Sequence, residues 1–92
     1  LDYAEACGNY VLLHCGAERH LMRETMDALE ARLGPRRFVR IHRSTLVNAD
    51  RVKEIHPLFH GDWEVVLRGG ERLTMSRTHR ERAQQLLAGR LA

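Results

Sequence analysis

The stretch Phe38 to Asp50, FVRIHRSTLVNAD, decides the reading of this chain. An apolar run is interrupted by Arg40 and broken by the polar cluster His42, Arg43, Ser44 and Thr45. It turns apolar again at Leu46 and Val47 and closes on Asn48. The aromatic and β-branched residues of FVRI predict a strand over 38–41. The polar cluster predicts a turn, Leu46–Val47 an apolar anchor, and Asn48 a structural amide bonding local backbone. Three chemistries could use HRS: nucleophilic catalysis, metal binding, or the grip of an anion.

The first two lack their other parts. On a strand His42 and Ser44 face the same way, but a catalytic triad also needs an orienting carboxylate and an oxyanion hole. The nearest acid, Asp50, lies beyond the apolar pair, and the chain has no G-x-S-x-G elbow. No enzyme is expected. Six histidines and two cysteines invite a metal, yet no pair has zinc-finger or H-E-x-x-H spacing. His56 and His60 are four apart, but Pro57 between them argues against the helix that such spacing needs. No metal or cofactor is expected.

Anion binding has wider support. RRFVRIHRS carries Arg36, Arg37, Arg40 and Arg43, with no acid between Pro35 and Ala49. A second cluster, SRTHRER, interleaves Arg77, Arg80 and Arg82 with Ser76, Thr78 and His79. The formal net charge of +3 hides an asymmetry: residues 1–35 hold three cations and six acids, residues 36–92 twelve cations and six acids. Fourteen of the fifteen cations are arginine, which suits bidentate contact with phosphate and guanine better than lysine does. Arginine among hydroxyls is also what DNA reading uses, with hydroxyls and amides to phosphate and arginine to base edges.

Working outward, strand signals dominate. Residues 2–6 and YVLLHC (10–15) read as strands around a Gly8-Asn9 turn. Gly16, Ala17 and Glu18 turn the chain, and 20–23 is a second hairpin arm. One helix starts at Thr25 as N-cap, with Met26, Leu29 and Leu33 on one face, and stops at Gly34-Pro35. Strands follow at 52–59 and 63–68, the latter with Trp63, Val65 and Leu67 on one face, and then a two-residue Gly69-Gly70 loop leads to 71–75. A short helix spans about 78–87, with Ser76 or Thr78 near its cap. Some seven short strands with one or two helices, not alternating, predict a single mostly-β domain with antiparallel sheets. Its 92 residues fit one domain. No apolar run approaches the roughly 20 residues of a membrane span. Cys7 and Cys15, eight apart, are read as reduced residues of a cytoplasmic protein. The start at Leu1, with no methionine or leader, reads as an output module cut from a longer chain.

HRSTLVN (42–48), preceded by MDALEARLGPRRFVRI and followed by RVKEIHPLFHGDWEVVLRGGERLTMSR, resembles the LytTR DNA-binding domain; so does YAEACGNYVLLHC at the start. The resemblance covers about Asp2 to Leu87. It implies an elongated fold of small antiparallel sheets with one or two short helices, the output half of bacterial response regulators. It also implies transcriptional regulation by loops that enter successive major grooves of double-stranded DNA. Two copies would pair on direct repeats, and a receiver or sensory domain would stand on the N-terminal side. Carried over residue by residue, Asn9, Arg43 and Arg77 fall where family members reach base edges. Ser44, Thr78, Arg80 and Arg40 are the expected phosphate contacts. Tyr10 adjoins the first contact, and His42 either touches DNA or packs to fix the turn, the second being favoured. A β-rich interaction or sensory module with a basic face is the alternative. An RNA reader is disfavoured because the aromatics sit in strand patterns rather than on an open stacking surface.

Overall fold

In a computed structural model that describes residues 1–91, with side chains through Ala88, eight strands and two helices form two antiparallel sheets. The first hairpin pairs β1 (Tyr3–Cys7) with β2 (Tyr10–Cys15), and its turn puts Gly8 at φ 61°, a conformation that glycine adopts without a Cβ clash. β3 (Glu18–Met22) pairs back on β2. Helix α1 (Met26–Leu33) starts where the sequence signals it: Ala28 N–H donates to Thr25 Oγ1 (3.1 Å), and Gly34 N–H closes the far end on Glu30 O. β4 (Phe38–His42) and β5 (Thr45–Asn48) form the hairpin that carries HRS.

β5 is the strand missing from the seven expected. It lies between β1 and β4 in a five-stranded sheet of order β3-β2-β1-β5-β4. Asn48 then acts as anticipated: Asp50 N–H donates to its Oδ1 (3.0 Å), capping a 3-10 turn at 49–51, while its Nδ2 donates to Leu1 O. A second sheet runs β6 (Val52–Pro57), β7 (Trp63–Leu67) and β8 (Arg72–Met75). α2 (Arg77–Leu91) follows at once.

Four local expectations change. β6 stops at Pro57, and a 3-10 turn (59–61) leads to β7. The β7–β8 loop has four residues, 68–71, not two, because Arg68 bonds elsewhere: its N–H to Arg51 O and its Nε to Asp50 O. In β7 Val66 is buried as well as Val65 and Leu67. β7 is the central strand, and the long stems of Glu54 and Arg72, its cross-strand neighbours, flank Val66. α2 begins earlier and ends later than 78–87, since Ala83 to Ala88 offers helix formers and no proline.

The core has two parts on opposite faces of the five-stranded sheet. Ala4, Val11, Leu46, Met26, Leu29 and Phe38 pack beneath α1. Val39, Ile41, Val47, Ala49, Val52, Val65, Leu67, Met75, Ala83 and Leu87 join that sheet to the second sheet and to α2. Strand alternation makes this division: Leu46 and Val47 are consecutive, both 0% exposed, and enter different cores. Cys7 and Cys15 are free. They stand at opposite ends of the β1–β2 pair, several residue rises of about 3.3 Å apart and beyond the roughly 7 Å Cα reach of a disulfide.

Candidate nucleic-acid interface

Three segments far apart in sequence meet along one edge of the fold. β1 and β5 are antiparallel, so the Gly8-Asn9 turn and the Arg43-Ser44 turn emerge at the same end of the sheet, joined by Ala6 N–H to Ser44 O (2.9 Å). On the far side of β4, Ser76 N–H donates to Ile41 O (2.8 Å), which sets the start of α2 beside the HRS turn. The edge therefore runs Asn9, Arg43–Ser44, Arg77–Arg80. Asn9, Tyr10, Arg43, Arg77, Thr78 and Arg80 are all exposed. Among the described residues the guanidinium groups of Arg43, Arg77 and Arg80 make no ion pair, whereas Arg32, Arg40, Arg51 and Arg72 each face a carboxylate.

Arg40 is engaged within the fold, unlike the open arginines of the edge. Its side chain is only 14% exposed and every nitrogen is engaged. Nε donates to His42 O (2.8 Å), Nη2 to Arg43 O, and Nη1 to Asp27 Oδ1 (2.8 Å) and Glu30 Oε1 (2.9 Å). The guanidinium thus holds the backbone of the turn from inside, anchored on α1, with four of its five N–H donors engaged within the fold.

Ser44 is engaged too. Its N–H donates to His42 Nδ1 (3.2 Å), so that nitrogen is an acceptor and the ring proton sits on Nε2. The Ser44 hydroxyl, 2.9 Å from the same Nδ1, then donates to it. His42 thus engages both the amide and the hydroxyl of Ser44 within the turn. The pattern repeats at α2, where Ser76 Oγ lies 2.9 Å from His79 Nδ1. Burial, and then the facing charge of Arg40, hold the His79 pKa below its usual range. Both Ser–His pairs are local, two and three residues apart, and the sequence marked them only as polar clusters because spacing alone does not fix side-chain rotamers.

Asp27, Glu30, Arg40, Phe38, Thr78, His79 and Arg82 border a cleft of about 260 Å³ between α1 and α2, behind the edge. Among the described residues no group of three His, Cys, Asp or Glu side chains is placed to hold a metal ion. No helix among them is long and apolar enough to cross a membrane.

Comparison with known proteins places the fold in a family. The family model for the LytTr DNA-binding domain matches residues 1–88. The chain is 33% identical over 64 residues to the sensory transduction protein LytT of Bacillus subtilis (strain 168), covering 70% of this chain and 27% of that protein. It is 30% identical over 66 residues to the transcriptional regulatory protein LytR of Staphylococcus aureus (strain N315), covering 72% and 27%. The chain thus spans about a quarter of the length of the curated relatives it matches. A solved LytTr DNA-binding domain from Bacillus cereus superposes with a TM-score of 0.86 at 26% identity, covering 94% of this chain and 79% of that one.

Proposed function

Since the chain belongs to the LytTr DNA-binding domain family, we propose that it reads double-stranded DNA sequence-specifically through this edge of loops, as the output module of a bacterial response regulator. Asn9, Arg43 and Arg77 address base edges, with Tyr10 beside the first. Phosphate contacts come from Thr78, Arg80 and the first-turn amides of α2, whose helix dipole favours an anion there. Arg40, Ser44 and His42 support the turn instead of touching DNA. The single observation that carries this reading is the convergence of the three segments through the Ala6–Ser44 and Ser76–Ile41 hydrogen bonds.

The longest dimension of the domain is 33 Å, close to the roughly 34–36 Å of one duplex turn. A domain laid along DNA on this axis would reach successive major grooves. Two copies on direct repeats would gain affinity through effective concentration, without new contacts. Within a longer regulator, a receiver or sensory domain would supply the signal, and the whole would act in the cytoplasm.

Selection of random duplexes with the purified chain tests this. Arg43→Ala and Arg77→Ala are expected to relax preference at different base positions, each good base contact contributing about 1–3 kcal/mol of discrimination. Arg80→Ala should weaken all duplexes alike and lower the salt slope by about one. No enrichment over random sequence, in single or tandem-repeat format, would sink the reading.

A further inference from the structure

Phe59 is 88% exposed, the most open large apolar side chain among the described residues, and Leu58 beside it is 43% exposed. They sit in the β6–β7 turn, where the sequence pattern carries the strand on to Phe59. The turn is closed by Leu58 N–H to Asp62 O (2.8 Å). His60 within it is the one described non-glycine residue at positive φ (65°), a strained conformation that persists only where its surroundings enforce it. The turn is also tied to the DNA-facing edge. A Cβ on Gly61 would lie 2.4 Å from Arg77 Cδ, so the stem of Arg77 rests directly on the Gly61 backbone. Trp63, at the end of the turn, pairs with Met75, and Ser76 and Arg77 follow. The order along the edge is therefore 8–9, 43–44, 76–80 and then 58–62.

We propose that Phe59 is a fourth DNA-contacting element, an apolar contact for the 5-methyl group of a thymine next to the base that Arg77 reads. This rests on the DNA reading above and extends it. The occupant is argued from continuity: the backbone of the turn carries the side-chain stem of Arg77, so a rod that Arg77 reads passes beside the turn and its exposed Phe59. The major groove offers one apolar group for such a side chain, the thymine methyl. The phenyl ring carries no donor or acceptor, so Phe59 discriminates by methyl burial alone.

The test replaces each thymine of the selected duplex, one at a time, with deoxyuridine, which keeps base pairing and removes the methyl. Wild-type chain should lose about fourfold in affinity at one position beside the Arg77 site, the worth of burying one methyl-sized group. Phe59→Ala should bind the thymine duplex as weakly as wild type binds the deoxyuridine one, and should not distinguish the two. Phe59→Leu, still apolar, should retain part of the methyl effect. Unchanged thermal unfolding of Phe59→Ala, expected from its exposure, excludes misfolding as the cause. Enriched duplexes with no methyl sensitivity at any position would overturn the Phe59 contact alone. Loss of self-association in Phe59→Ala with DNA affinity intact would overturn it in favour of a protein contact. Failure of wild type to enrich any duplex would overturn this contact and the DNA reading together.

Discussion

Arg40 makes the clearest case at the scale of single residues. Its charge is set against Asp27, which is 89% exposed, and Glu30, which is 31% exposed, so the ion pairs themselves contribute little. The carbonyls of His42 and Arg43 matter more, because without the guanidinium they lose their donors. Arg40→Met, which keeps the stem, is expected to cost about 1–3 kcal/mol in chemical unfolding. It should also relax base preference at the Arg43 position while sparing that of Arg77, as a displaced turn would and a lost phosphate contact would not. His79 gives a pH signature. Its pKa is depressed in the fold, so the folded state favours the neutral ring and its stabilisation is complete above the ordinary histidine range, about 6.5. It is lost as pH falls from there through the lower folded value. The drop in urea midpoint between pH 7.5 and pH 5.5 should be smaller in His79→Asn than in wild type. The sequence grouped Arg40 with Arg43 and Arg77 as DNA-contacting cations, and could not show that Arg40 is engaged inside the fold while the other two are exposed. All three look alike in a string of arginines, and only the approach of Asp27 and Glu30 from α1 distinguishes them.

Among the elements, α1 and the first hairpins were readable because their signals are local: a Thr25 cap, a Gly34 stop, and a Gly8 turn whose chain reverses within two residues. β5 was not. Four residues, TLVN, are too few to show a period, and their burial on both faces removes the alternation that marks a half-exposed strand. β7 hides its faces for the same reason, and the Arg68 loop was set by Asp50 and Arg51, which are distant in sequence. The short β5 nevertheless joins the two cores. Leu46→Ala should cost about 2–5 kcal/mol, a large part of the roughly 5–15 kcal/mol of a typical domain. The loss should register equally in Trp63 fluorescence, which reports the second sheet, and in far-UV circular dichroism. Separate transitions would show that the cores unfold independently.

At the scale of the whole molecule, the edge exists only because two sheets are held in one orientation. The shared apolar core provides the energy, and the backbone hydrogen bond from Ser76 N–H to Ile41 O fixes the register between HRS and the start of α2. That amide is in effect a built-in gauge. It exchanges with solvent only when the sheets part, and a duplex contacting both sides of the seam should hold them closed. The Ser76 amide proton should therefore exchange more slowly with deuterium when the selected duplex is bound, and do so more than amides buried beneath α1. Equal slowing everywhere would mean that DNA stabilises the fold without bracing the seam. A protein built this way carries its binding readout in one N–H group, measurable without any label on the DNA.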